Sequence, residues 1–184
     1  QEKNSTLLNT LPSTFSNVFV DAEGTAYSTC MGKGRDLLKK HSTNGTNLFK
    51  NVIASSDAFT DVIADSNGII YASDSKGYIY VYTRAGELIF CLGEEAGNND
   101  VSGLFSSLTT IAVDNNGNIW TADGKKGFIQ SFTPTEYATT IYKALQEYEN
   151  GDYTDALKDW NYVLRLNQMS VLAHNGVAKA YYND

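Results

Sequence analysis

Up to Phe132, apolar and polar positions alternate with the period of strands that have one covered face. Three polar interruptions share one form. DAEG begins at Asp21, DSNG at Asp65 and DNNG at Asp114, spaced 44 and 49 residues apart. Each follows a β-rich run (NVFV, DVIA, TIAV) and precedes another strand candidate. An Asp at the first turn position accepts backbone N–H groups, and a Gly at the fourth permits positive φ. Each copy therefore predicts a tight antiparallel hairpin. In the second copy YIYVY (Tyr78–Tyr82) and ELIFCL (Glu87–Leu92) carry the alternation on through TRAG. The predicted unit is four short antiparallel strands in about 45 residues. One such sheet cannot bury its own faces, so its recurrence predicts sheets packed against one another.

After Phe132 the period becomes helical. In TPTE, Thr133 suits an N-cap, Pro134 the first helical position and Glu136 the third. Ile141, Ala144, Leu145 and Tyr148 then share one helical face. Gly151 suits a left-handed stop, and Asp152 with Asp155 the start of a second helix striped by Ala156, Trp160 and Val163. Ser170 suits the cap of a third. The predicted division is residues 1–132, all β, and residues 133–184, all α. The N-terminal STLLNTL (Ser5–Leu11) is a candidate extra strand for one of the sheets.

Composition narrows the class of job. The 184 residues are 42% hydrophobic and 19% charged, ordinary for a folded chain. Net charge is −7, spread as about −4 up to residue 134 and about −3 beyond it. Clustered Lys and Arg are absent, which excludes a duplex nucleic-acid surface and disfavours anionic membranes. No run reaches the ~18 apolar residues of a membrane helix. The polar start QEKNST suits an exported chain trimmed of a leader, or one anchored at a membrane from outside. Cys30 and Cys91 lie in apolar stretches and read as two buried free thiols.

The β region resembles NHL-repeat β-propellers. The likeness is best over LGEEAGNNDVSGLFSSLTTIAVDNNGNIWTAD (Leu92–Asp123), which keeps Gly93, Gly97, Gly103, Phe105, IAVD, GNI and the closing Asp. In the first copy Cys30 stands where Asp74 and Asp123 close the others. The resemblance spans roughly residues 15–132 and implies about three blades, an incomplete ring. The helical region resembles tetratricopeptide (TPR) repeats through Ala144, Gly151, Asp152, Tyr153, Ala156 and Trp160, with Ala178 one 34-residue period after Ala144. Lys143, Glu147 and Gln168 depart from the pattern. About one and a half repeats are implied.

Chemistry-bearing groups are sparse. His41 and His174 are far apart in sequence, and neither HxxxH nor CxxC occurs, so no metal site is implied. No serine lies in a GxSxG elbow. GKGRD (Gly32–Asp36) lacks the rest of a phosphate-binding loop. Tyr78, Tyr80 and Tyr82 form either a sugar-stacking platform or a strand packed on both faces, and the second is favoured. The TPR resemblance implies a peptide groove at Ile141, Leu145, Tyr148, Glu149, Asn175, Lys179 and Tyr182. The expectation is a non-enzymatic interaction or scaffold module for protein or peptide partners, without cofactor, within a longer exported bacterial protein. A homodimer that completes the propeller is a further expectation. The alternatives are a lactonase- or lyase-type propeller enzyme whose catalytic residues lie elsewhere, or a carbohydrate-binding surface module.

Overall fold

The computed structural model describes residues 13–32, 37–97 and 101–183. Ser5–Leu11 and most of Gly32–Asp36 lie outside them. The chain divides into two compact units, residues 1–132 and 133–184.

The first unit holds three antiparallel meanders. The first sheet is β1 (Ser13–Val20), β2 (Ala26–Gly32) and β3 (Leu38–His41). The second is β4 (Phe59–Ala64), β5 (Ile70–Asp74), β6 (Ile79–Tyr82) and β7 (Leu88–Leu92). A short parallel pair follows, β8 (Glu94–Glu95) with β9 (Leu104–Phe105). The third sheet is β10 (Leu108–Val113), β11 (Ile119–Asp123) and β12 (Phe128–Phe132). The expected fourth strand of the first copy is not a strand. The segment after β3 makes a turn with a bridge from His41 to Asn47, then inserts Phe49 and Ile53 into the core as loop residues. Both touch the turn of the second sheet at Gly86, where a Cβ would meet Phe49 and Ile53.

The three hairpins form as their spacing predicts. Asp21 Oδ1 accepts from the amides of Glu23 (3.0 Å) and Thr25 (2.7 Å). Asp65 Oδ1 takes Asn67 and Ile69 at 2.9 Å each, and Asp114 Oδ1 takes Asn116 and Asn118, also at 2.9 Å. Gly24, Gly68 and Gly117 close the turns with φ of 82°, 79° and 77°, a region costly for residues with a Cβ. Each hairpin also carries a bulge at the same place, five residues before its Asp. The register shifts fall between Phe15 and Asn17, Phe59 and Asp61, and Leu108 and Thr110.

The sheets stack face to face, and one carboxylate joins all three. Asp61, the residue four before the second turn, is buried. Its Oδ1 accepts from the Asn17 side-chain amide of the first sheet and from Val62 N (2.8 Å). Its Oδ2 accepts from Thr110 Oγ1 (2.6 Å) and Ile111 N (2.9 Å) of the third. Asn17 and Thr110 hold the same repeat position as Asp61. Around this joint the apolar core gathers Tyr27, Leu38, Phe59, Val62, Ile70 and Tyr82, among others.

The second unit is three helices, α1 (Glu136–Asn150), α2 (Tyr153–Leu166) and α3 (Val171–Asn183). The first begins two residues later than TPTE suggests. Thr135, not Thr133, is the N-cap, accepting from Ala138 N at 3.3 Å. This register turns Ala138, Ile141 and Ala144 inward and leaves Glu136 in the first turn, where it accepts from Tyr162 Oη at 2.7 Å. Gly151 ends the helix at φ 88°. Asp152 stands before α2 with no side-chain cap bond, while Ser170 Oγ does cap α3 through Ala173 N (3.3 Å). Ala156, Trp160 and Val163 are buried as the stripe predicts. Ala178 is exposed; the small residues that α3 buries are Ala173, Gly176 and Ala180. A Cβ at 176 would lie inside the Trp160 indole.

Asp61→Ala would strand the Thr110 hydroxyl and Ile111 amide without an acceptor. Urea unfolding of the full chain is expected to show a loss of about 2–4 kcal/mol. An unchanged midpoint would remove this carboxylate from its joining role. In a helix, Gly→Ala ordinarily stabilises by up to ~1 kcal/mol. Gly176→Ala is expected to do the reverse, by about 1–3 kcal/mol, through overpacking on Trp160. Thermal melts read both the sign and the size.

Candidate protein-binding surface

The sequence-predicted groove residues divide by burial. Ile141 is fully buried in the helical core and presents nothing to a partner. Leu145 and Tyr148 are half-buried on α1, and Glu149 is exposed at its end. On α3, Asn175 and Lys179 are exposed one turn apart, and Tyr182 is 90% exposed. The two helices meet at their C-terminal ends, where Asn183 Nδ2 donates to Tyr148 Oη (2.9 Å) and to Lys179 O (2.8 Å). Tyr148 also packs on Tyr153, ring centroids 5.2 Å apart. Tyr148, Lys179 and Tyr182 thus gather near one end of the α1–α3 pair, while Ile141 belongs to the interior. Tyr181 is exposed beside Tyr182, while Met169 and Val171 are exposed at the opposite, N-terminal end of α3.

Lys143 and Glu147, the departures from the repeat pattern, form a polar bridge between α1 and α2. Lys143 Nζ lies 3.2 Å from Glu147 and 2.7 Å from Asp159. Burial raises the Glu147 carboxyl above the usual range, and its Oε2 has no hydrogen-bond partner.

In the first unit a cleft of about 220 Å³ opens between the first two sheets, beside the turns at Asp21 and Asp65. Phe19 and Tyr27 form its apolar side, and Lys40 and Arg84 bring positive charge to it. Lys40 Nζ stands 5.7 Å from the Tyr27 ring centroid. Burial, then the Asp21 charge, pushes the Tyr27 phenol up to about 12. Lys40 and Arg84 belong to no motif, so nothing in the sequence marked this cleft.

Other expected groups have structural employment. Tyr78, Tyr80 and Tyr82 line up at centroid spacings of 6.3 and 6.4 Å, but Tyr82 is buried and Tyr80 donates to Asp74 (3.1 Å). The ladder is thus sealed at Tyr82 and half-buried at Tyr78 and Tyr80. Asp74 and Asp123 each tie their own turn to a preceding loop, through Ser56 Oγ (2.7 Å) and Ser106 N (2.6 Å). His41 Nε2 pairs with Ser28 Oγ at 2.7 Å, and Ser28 is buried. His174 is exposed, 2.9 Å from Gln168 O. Cys30 is buried and forms no disulfide; Cys91, expected to be buried, is exposed on β7 because that strand is the outer edge of its sheet. Among the described residues no three His, Cys, Asp or Glu side chains group closely enough to hold a metal. Nor is any helix among them long and apolar enough to cross a membrane.

The class defined is a stack of antiparallel, blade-like meanders followed by a small helical bundle. No family model and no curated protein matches the chain. Among solved structures it is similar to propeller-like proteins. One, of unknown function, is from Bacteroides caccae (12% identity, TM-score 0.47, 63% of this chain and 44% of that one). Virginiamycin B lyase from Staphylococcus aureus follows (14%, 0.45, 66% and 42%). The extracellular domain of BT3049 from B. thetaiotaomicron is a third (13%, 0.41, 68% and 17%). The chain spans less than half the length of each.

Asp114 offers a pH test of the turn. Its bonds from Asn118, first, and from the Trp120 indole N–H hold its carboxyl down to about 2. A folded pKa below the unfolded ~3.9 means stabilisation present above that value and lost as pH falls through about 2. The Trp120 indole proton, followed by NMR, is expected to titrate near pH 2. A midpoint near 4 would deny the bond any energetic role.

Proposed function

We propose that the chain is a non-enzymatic protein-interaction module of NHL-type blades and TPR-type helices, part of an exported bacterial protein. For the blades, the support is the repeated Asp–Gly hairpin with its bulge and its cross-sheet bond. For the helices, it is the Gly151–Asp152–Tyr153 junction with buried Ala156 and Trp160. The observation that carries the functional reading is the exposed face along α3, where Val171, Asn175, Lys179 and Tyr182 recur at helical spacing. Asn175 and Lys179 supply hydrogen-bonding groups, and Val171, Tyr181 and Tyr182 supply uncovered apolar area. Aromatic side chains beside donors and acceptors suit an extended or helical peptide. The partners in this reading are proteins or peptides, a second copy of the chain among them.

Selection of a displayed peptide library against the full chain tests this. Peptides are expected to enrich, and Tyr182→Ala with Asn175→Ala is expected to weaken the best of them at least tenfold. A library that yields no enrichment, or a double variant that binds as well as the parent, would reject the surface. Fractionation of cells expressing the protein tests the exported location.

A further inference from the structure

The first two sheets differ at one pair of equivalent positions. On the second sheet Tyr71, six residues after the turn Asp, pairs with Val81, and both are fully buried. On the first sheet the same pair is Tyr27 with Lys40. Tyr27 is buried, but Lys40 is half-buried and lines the cleft beside the turns. A lysine thus stands where the sister copy packs a core valine. Drawing an ammonium toward apolar surface costs free energy unless charged or hydrogen-bonding groups meet it. Packing alone favours the valine.

The cleft lies at the turn end of the first sheet, where Val20 pairs with Ala26. β1 starts at the other end, where Ser13 pairs with Gly32. At about 220 Å³ the space is smaller than the ~300–1,000 Å³ of pockets for drug-sized ligands. Both signs of charge line it. Lys40 comes from the first sheet and Arg84 from the turn after β6. The Arg84 guanidinium lies across Gly68, where a Cβ would run into its Nε. Its charge reaches the Tyr27 phenol, opposing the upward shift that burial imposes there. Asp21 and Asp65 line the cleft from their two turns. The Oδ1 atom of each is engaged by turn amides. The Oδ2 atoms stand 3.4 Å from the hydroxyls of Tyr27 and Tyr71, longer than a firm O–H···O bond. Burial raises the Asp65 carboxyl above its usual range, and a positive charge brought beside it would offset that cost. Glu23, which is exposed, adds a third carboxylate. Phe19 and Tyr27 form the apolar wall, ring centroids 6.2 Å apart.

We propose that this cleft binds a free α-amino acid with an apolar side chain. Its α-carboxylate goes to Lys40 and Arg84, its α-ammonium to the Oδ2 atoms of Asp21 and Asp65, and its side chain to Phe19 and Tyr27. A simple anion would meet the two cations but stand against three carboxylates. A simple cation would meet the carboxylates and stand against Lys40 and Arg84. A zwitterion answers both signs at once, and an apolar body covers the aromatic wall. A few placed polar groups beside an apolar surface are what orient a small ligand, and bonds between charged groups are the strong ones among them.

The inference goes beyond the reading of α3 as a peptide surface. The cleft belongs to the first unit and α3 to the second, so the two readings fail separately. Isothermal titration of the full chain with L-phenylalanine and with L-leucine is expected to show one-to-one binding of at least one of them. The N-acetylated form of that amino acid lacks the ammonium, and its decarboxylated amine lacks the carboxylate. Each is expected to bind at least tenfold more weakly. Lys40→Met, which returns an apolar residue to the valine position, and Arg84→Gln are each expected to weaken binding at least tenfold with unchanged circular dichroism. Should Lys40→Met fail to fold, Arg84→Gln decides alone, since Arg84 is exposed in a turn. In amide NMR spectra, Gly24 and Gly68 are expected to shift on titration. No binding of either amino acid up to about 10 mM overturns the proposal. Equal binding of the acetylated acid or the amine overturns it too, as does parental affinity in the folded variants.

Discussion

The stack of sheets depends on how one buried carboxylate is satisfied. Asp61 takes four neutral donors drawn from all three sheets. An ionised group sealed from water costs several kcal/mol unless its lone pairs are used. Its presence therefore sets the spacing and registry of three otherwise apolar faces. An apolar residue would pack there too, but it would not distinguish one lateral offset from another.

The repeat was legible because turn chemistry is local. Asp and Gly three apart define the hairpin without reference to the rest of the chain, and all three turns form with the expected bonds. The strand count of the first copy was not legible in the same way. Phe49 and Ile53 satisfy the core equally well from a loop, and hydrophobic content alone does not separate the two. Nor was Asp61 singled out, because DVIA reads as a strand with a polar first residue. Only the third dimension shows that its partners are 44 and 49 residues away.

The helical unit shows the opposite balance. Its buried stripes follow from period, but its cap and its closest approach do not. TPT offers two threonines as caps, and the Glu136–Tyr162 bond goes with the second. Gly176 looks like a poor helix residue by propensity, and its reason is the Trp160 ring lying across it. The groove residues were placed by resemblance, and resemblance does not distinguish Ile141, turned inward, from Tyr182, turned out. The cleft at Lys40 and Arg84 had no signal at all, since its walls come from separate repeats.

The bulge five residues before each turn has its own implication. It fixes the phase of each meander at the inner strand, so what happens beyond the outer strand does not feed back. The second interval is five residues longer than the first, and the surplus falls in the segment around β8 and β9. Within that segment, though, Ala96 and Phe105 are buried and a Cβ at Gly77 would meet Glu94 O and Phe105, so changes of length there are borne only between those two anchors.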